Sequence, residues 1–267
     1  MQNLLVVGIL DALFRWLHVL FGVIWIGHLY FFNFVNAGFA ATMDGDTKKK
    51  VVPELMPRAL YWFRWGAAWT YLFGILLLVL LFYHQKAALS DITTSFGAPA
   101  IIMILLTMVA APFIYDALQK SGIGKNPRVF GAVTFVLVAL ITLLLVYWAK
   151  FSYRGFNIHI GAMFGTIMAF NVWFRIWPSQ KKIITAIKEG TPPDPGLVAL
   201  AGGRSRHNTY MSVPLLWTMI NFHTTAFSGG NLRLTTETAW IALLVIILIG
   251  WHMVWQIYKK AAKVKGF

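Results

Sequence analysis

Long apolar stretches alternate with short polar segments along the whole chain, and this pattern predicts a bundle of membrane-crossing helices. A helix needs about 20 mostly apolar residues to cross a bilayer. The predicted spans are residues 10–35, 60–84, 97–118, 128–148, 157–177, 207–227 and 237–258. Hydrophobic residues make up 58% of the chain and charged residues only 12%, about half the charged fraction of a soluble domain. We therefore expect an all-α, polytopic transmembrane bundle of about seven spans, forming a single domain over residues 1–267.

Basic residues fall unevenly between the predicted spans. Lysine and arginine concentrate after spans 1, 3 and 5 and in the C-terminal tail. By the positive-inside rule, this places the N-terminus outside and the C-terminus in the cytoplasm. The net charge of +14 is then explained by topology and by attraction to anionic lipid, and not by nucleic acid. Residues 179–206 are predicted as a cytoplasmic interfacial segment that contains an amphipathic helix near 180–188.

Histidines inside the apolar spans are the first candidates for chemistry, since ionisable groups in hydrocarbon are costly and usually functional. The topology places His28 and His252 in the inner half of the bilayer, and His18 and His223 in the outer half. Two stacked pairs of histidines from different helices are what b-type haems with two imidazole ligands need. The alternative is that a histidine only bonds a neighbouring helix, which is our interpretation of His159 near the predicted outer surface.

The absence of cysteine limits the cofactors that this sequence could hold. It excludes covalent c-type haem, iron–sulfur clusters and thiolate metal sites within these residues. Any haem would therefore be haem b, with His28 and His252 as the first candidate iron ligands. One haem, two or none are all compatible with the sequence.

A second candidate lies where the predicted sixth span begins, in the polar segment 204–214 (Arg-Ser-Arg-His-Asn-Thr-Tyr-Met-Ser-Val-Pro). At a helix N-terminus, free N–H groups and the helix dipole favour an anion, and arginine can bind a planar anion through paired hydrogen bonds. The predicted substrate-binding residues are Arg204, Arg206, Asn208 and Arg64, and the predicted catalytic residues are His207 and Thr209. The alternative is a positively charged membrane anchor with a helix cap.

Four segments of the chain resemble the bacterial membrane-bound urate oxidase family, the cytochrome c-linked urate hydroxylase. They are residues 16–18 (Trp-Leu-His), 22–33 (Gly-Val-Ile-Trp-Ile-Gly-His-Leu-Tyr-Phe-Phe-Asn), 61–65 (Tyr-Trp-Phe-Arg-Trp) and 204–216 (Arg-Ser-Arg-His-Asn-Thr-Tyr-Met-Ser-Val-Pro-Leu-Leu). The resemblance covers nearly the whole chain, and the last segment is the most specific. It implies oxidation of urate to 5-hydroxyisourate in purine degradation, by a multi-pass protein of the bacterial inner membrane. Electrons would pass to a cytochrome c and the respiratory chain.

The resemblance has one departure. Well-known members of that family continue into an eighth span and a cytochrome c domain, whereas this sequence ends after the predicted seventh span. The expected partners are therefore the lipid bilayer, urate or a similar planar anion, and a separate cytochrome c or other electron acceptor. Two other functions stay open at this point: a permease for purines or other organic anions, and a copper- or haem-handling membrane protein.

Overall fold

The structure, a computed structural model, describes residues 2–221 and 235–266, and most of that part of the chain is helical. The helices are α1 (Gln2–Tyr30), α2 (Ala37–Thr42), α3 (Gly45–Leu77), α4 (Ala98–Leu105), α5 (Ala111–Lys120), α6 (Pro127–Leu143), α7 (Tyr153–Asn171), α8 (Trp177–Glu189), α9 (Pro195–Asn221) and α10 (Thr236–Ala261). Between them lie π-helical segments at Phe31–Asn36, Leu78–His84, Leu106–Ala110, Leu144–Trp148 and Val172–Ile176, and a 3-10 turn at Gly122–Lys125.

The π-helical segments continue their neighbouring helices, so the described residues contain six helices long and apolar enough to cross a membrane. These are Leu5–Thr42, Gly45–His84, Ala98–Lys120, Pro127–Trp148, Tyr153–Glu189 and Thr238–Ala261. The predicted all-α, polytopic fold is thereby confirmed. The predicted sixth span, 207–227, begins inside α9, and its last residues lie outside the described part of the chain.

Three of the six helices are much longer than a bilayer requires. Leu5–Thr42, Gly45–His84 and Tyr153–Glu189 contain 38, 40 and 37 residues. At a rise of 1.5 Å per residue each is about 55–60 Å long, roughly twice the hydrocarbon thickness. The segment predicted as a separate interfacial helix is α8, which continues α7 without a break. Pro178 lies in the first turn of α8, directly after the π-helical segment Val172–Ile176.

The helix that carries the arginine-rich segment begins earlier than its sequence suggests. α9 starts at Pro195, so Arg204 lies within a helix, and the prediction that this segment opens a helix is wrong. Proline suits a first helical position because its fixed φ is preorganised. Gly202 and Gly203 disfavour a helix but do not end this one, since Arg204 is buried by packing. An anion here must therefore be bound by side chains and not by free backbone N–H groups.

The chain divides into two compact units. The first contains Met1–Val7, Ile75–Ile167 and Pro214–Ile249, and the second contains Gly8–Gly74, Met168–Val213 and Gly250–Phe267. Each unit has its own buried apolar residues, including Leu145, Phe156 and Ile160 in the first and Leu29 and Phe63 in the second.

In the first unit, the start of α7 is held against the loop that precedes α4. Leu89 and Phe151 form an isolated antiparallel bridge, and the Ser152 N–H donates to the Ala88 carbonyl at 2.8 Å. A Cβ atom added at Gly155 would overlap this same carbonyl. Glycine is therefore required at this position for the helix to approach the loop so closely.

In the second unit, α1 and α3 pack through Trp25, Leu29 and Phe63, which are 3%, 0% and 1% exposed. The Phe63 ring meets the Phe32 ring edge to face, with 5.3 Å between their centroids. Gly66 lets the two helices approach, since a Cβ atom there would lie 3.0 Å from the Trp25 backbone nitrogen. This contact fixes the register between α1 and α3.

Substitution of Gly155 by alanine should lower the melting temperature of the detergent-solubilised protein, because the added methyl group displaces the Ala88 carbonyl. The matched control is Gly131→Ala in α6, where an added Cβ atom meets nothing within 4 Å. That variant should melt at the wild-type temperature or above it, since alanine favours a helix over glycine. Circular dichroism would measure both. Equal melting temperatures for the two variants would contradict the close approach.

Candidate functional site

One face of α9 is lined with polar side chains that are closed off from the surroundings. Arg204, Asn208 and Ser212 follow one another at intervals of four residues and are 1%, 0% and 0% exposed. This spacing places them on one side of a helix, and Thr209 beside them is also fully buried. Polar groups removed from water are costly unless they are hydrogen-bonded. The neighbouring helices of the same unit must therefore supply partners.

The end of α7 supplies the first set of partners. Asn171 donates from its Nδ2 atom to Asn208 Oδ1 at 2.9 Å, and Asn208 Nδ2 donates to the Met168 carbonyl at 3.0 Å. Asn171 is fully buried, and its Oδ1 atom has no hydrogen-bond partner within the described residues. A buried acceptor of this kind can receive an N–H group from a ligand.

A chain of hydrogen bonds joins α9 to α1 and α10. The Tyr258 hydroxyl donates to Asn33 Oδ1 at 2.8 Å, and Asn33 Nδ2 donates to Ser205 Oγ at 2.8 Å. Tyr258 also contacts the Thr209 side chain. Asn33 lies in the π-helical segment Phe31–Asn36, and such segments often mark functional sites. Three helices thus meet at one hydrogen-bonded junction.

A second link between α1 and α9 lies next to this junction. The Tyr30 hydroxyl and Ser212 Oγ are 3.0 Å apart, and Ser212 donates in turn to the Thr209 carbonyl at 2.8 Å. The Thr209 hydroxyl donates to the Ser205 carbonyl at 3.1 Å. These bonds hold Thr209 in one orientation.

Positive charge is concentrated on the same part of α9. Arg204 and Arg206 both act electrostatically on the His207 ring. The Arg206 guanidinium is exposed and lies 4.9 Å from the centre of the Tyr258 ring, which stacks on Tyr210 with 6.1 Å between ring centroids. Two arginines that both act on one histidine make this part of α9 favourable for an anionic ligand. We call the following residues the α9 cluster: Arg204, Arg206, His207, Asn208, Thr209, Asn171, Asn33 and Tyr258.

The structure places Arg64 in a different cluster from the arginines of α9. Its guanidinium lies 3.9 Å from the centre of the Trp177 ring, and its backbone carbonyl accepts a hydrogen bond of 3.1 Å from Trp173 Nε1. The ring of Tyr61 is 5.7 Å from the same guanidinium. Aromatic faces attract a cation, so these rings hold Arg64 beside α7 and α8.

Two of the histidines proposed as haem ligands are held by backbone carbonyls. His18 Nδ1 donates to the Thr70 carbonyl at 2.9 Å, and His28 Nδ1 donates to the Ile24 carbonyl at 2.7 Å. Because Nδ1 carries the proton in both rings, Nε2 keeps its lone pair. Metal-bound histidines commonly have this arrangement, in which the second nitrogen is fixed by a hydrogen bond.

The other two proposed haem ligands are placed differently. His252 is exposed on α10, and its Nε2 atom is 3.1 Å from the amide nitrogen of Gln256 on the same helix. His223 lies outside the described residues. The described residues contain no group of three or more His, Cys, Asp and Glu side chains that could hold a metal ion. A haem with two imidazole ligands needs no such group, so the pairing of histidines stays a prediction.

His159, which the sequence placed near the outer surface, is fully buried in the first unit. Its Nδ1 atom donates to the Gly155 carbonyl at 2.7 Å, and the Tyr83 hydroxyl lies 3.0 Å from its Nε2 atom. Both ring nitrogens thus have partners within the protein.

Sequence reasoning missed Tyr258 and Asn171 as members of the α9 cluster. Asn171 carried a usable signal, because an amide inside the apolar stretch 163–173 needs a partner. Tyr258 carried none, since tyrosine is common where helices leave a membrane.

Comparison with protein families gives a match. The model described as "Urate oxidase N-terminal" matches residues 5–265, which includes every residue of the α9 cluster. No curated protein and no solved structure matches the chain. The match extends over nearly the entire chain, so the protein belongs to the urate oxidase N-terminal family.

Proposed function

We propose that this membrane protein oxidises urate to 5-hydroxyisourate at the α9 cluster. Family membership supports a relation to urate oxidase. The observation that carries the proposal is the buried polar face of α9, where arginine, histidine and amide groups meet inside a helical unit. Keeping such groups out of water is costly, and binding of a planar anion accounts for their presence inside the protein.

Urate needs both hydrogen-bond donors and acceptors, because it is a flat anion with carbonyl oxygens and ring N–H groups. Arg204 and Arg206 donate to its oxygen atoms through charge-assisted hydrogen bonds. Asn208 is held in place by Asn171, whose own Oδ1 atom is available to accept a ring N–H. Because Arg64 lies in the aromatic cluster of Trp173 and Trp177, we assign it no direct contact with urate.

The reaction adds water to the ring and removes two electrons: urate and water give 5-hydroxyisourate, two protons and two electrons. His207 accepts a proton as general base, a role suited to imidazole. The buried hydroxyl of Thr209 positions the attacking water. The proposed topology places this site towards the cytoplasm of a bacterial inner membrane.

A non-covalent haem b fits two of the histidines described above. In His18 and His28 the Nε2 lone pair is available for iron, since Nδ1 is bonded to a carbonyl. His252 could act as the second ligand of an inner haem only after the Gln256 amide moved away from the His252 Nε2 atom. His223 remains the proposed partner of His18. A haem held by these residues would supply one-electron transfer towards a cytochrome c or another respiratory acceptor.

The purified protein should consume urate when ferricyanide is supplied as an artificial electron acceptor. The loss of urate absorbance and the reduction of ferricyanide would be followed together, and two ferricyanide ions should be reduced per urate. Heat-denatured protein is the control. Accumulation of unchanged urate in protein-containing vesicles, without reduction of any acceptor, would instead support an organic-anion permease that uses the same cluster.

Replacement of Arg206 by alanine should weaken urate binding about 10- to 100-fold, as expected for a lost hydrogen bond to a charged group. Arg206→Lys should recover part of this loss, because it keeps the charge but not the paired donors. Lys263→Ala removes one positive charge from the exposed tail and should bind urate like the wild type. Isothermal titration calorimetry measures all three. Equal weakening in the Arg206 and Lys263 variants would indicate a general charge effect and no specific site.

An absorbance spectrum of the oxidised and dithionite-reduced protein should show b-type haem. His28→Ala and His18→Ala should each lower the haem content, while His84→Ala should retain it. Haem content is measured chemically after extraction, so this readout is independent of activity. Full haem occupancy in both the His28 and His18 variants would exclude these residues as ligands.

A further inference from the structure

An aromatic groove lies between α1 and α3 within the second unit, and the roles proposed above do not use it. Its walls are formed by Tyr61, Trp62, Trp65 and Trp69 of α3 and by Phe21 and Ile24 of α1. The volume of the groove is about 240 Å³. Pockets for drug-sized ligands begin near 300 Å³, so this groove suits a single substituted ring.

The groove is open to the surroundings along two membrane-spanning helices. Trp62, Trp65 and Trp69 are 54%, 37% and 40% exposed, and they lie within the candidate span Gly45–His84. In the predicted span 60–84 these indole rings lie towards one end, a position typical of aromatic residues at the membrane interface. A lipid-soluble ligand would reach the groove from there.

Neighbouring rings of the groove stack at interplanar angles of 30° and 29°. Trp65 and Trp69 stack with 6.5 Å between ring centroids, and Phe21 stacks on Trp69 at 5.9 Å. Aromatic rings prefer offset stacking on another flat π-system. A planar ring matches these faces better than a flexible acyl chain does.

A positive charge lies beside one end of the groove. The Arg64 guanidinium does not line the groove itself but lies 5.7 Å from the ring of Tyr61, which does. A positive group at this end favours the partial negative charge of ring carbonyl oxygens. The Tyr61 hydroxyl can also donate to such an oxygen.

We propose that the groove binds the head group of a membrane quinone, which accepts the electrons released from urate. This inference rests on the proposed function. The reaction balances as urate + water + quinone giving 5-hydroxyisourate + quinol, because the quinone takes up both electrons and both protons. His18, a proposed haem ligand, is bonded to the carbonyl of Thr70, the residue that follows Trp69. This proposed haem ligand therefore lies next to the groove.

The test uses decylubiquinone, a short-tailed quinone, with detergent-purified full-length protein. Quinone binding is measured as the rise in melting temperature, and turnover as urate-dependent quinone reduction. Trp65→Leu should raise the decylubiquinone concentration needed for half-maximal effect about three- to tenfold, as expected for a lost aromatic contact. Trp65→Phe should lie close to the wild type, since it keeps a stacking ring. Trp16→Leu removes an exposed indole from α1 outside the groove and is the matched control.

The outcomes separate the two proposals. If the protein oxidises urate with ferricyanide but neither binds nor reduces decylubiquinone, the quinone site is wrong and the proposed function stands. If decylubiquinone binds through Trp65 but urate is not oxidised with either acceptor, the urate proposal fails. If a saturated ten-carbon alcohol stabilises the protein as well as decylubiquinone does, the groove is an acyl-chain site and the inference is overturned. Equal binding by Trp65→Leu and wild-type protein would also overturn it.

Discussion

The arrangement of the second unit follows from one constraint: polar groups within an apolar bundle must find their partners inside the protein. Arg204, Asn208 and Ser212 have almost no exposed surface, so α9 is stable only where other helices meet its polar face. The α7 amide at position 171 and the hydrogen bonds among Tyr258, Asn33 and Ser205 meet that need. Removing one partner from such a network leaves a buried group unsatisfied, which costs more than the bond itself contributes. The helices that meet α9 are therefore held in place by specific hydrogen bonds as well as by apolar packing.

The π-helical segments also help side chains to reach partners on other helices. A π-turn inserts one residue into a helix and so rotates every side chain that follows it. Asn33 and Trp173 both lie inside such segments, and both make contacts between helices: the first to α9 and α10, the second to α3. The extra residue weakens the hydrogen bonds within the helix, and the contacts with other helices offset that loss. The π-turns thus direct Asn33 and Trp173 towards other helices, while the long helices that carry them continue.

The sequence predicted the helical membrane fold and most of its spans, because hydropathy over about 20 residues depends on composition and not on neighbours. It also found the arginine-rich segment of α9. It did not predict the start of α9, since Gly202 and Gly203 disfavour a helix and the packing that buries Arg204 beside them cannot be seen in the sequence. Position along a span predicts depth but not the direction in which a side chain points. His28 and His252 illustrate this, because the first is partly covered and the second is exposed with Gln256 as its partner.

α1 contributes to two different environments, which suit the two reactants of the proposed reaction. At Asn33 it contributes to a polar, positively charged cluster suited to an anion, and at Phe21 and Ile24 it forms a wall of the aromatic groove. A charged purine is excluded from the groove by the cost of desolvation, and a quinone finds few apolar contacts in the α9 cluster. In the proposed reaction each ligand is thereby restricted to its own site. Of the two proposed haem ligands on α1, His28 lies between Asn33 and the groove, whereas His18 lies beyond the groove, about 15 Å from His28 along the axis. His28 is therefore the proposed ligand that lies between the two sites.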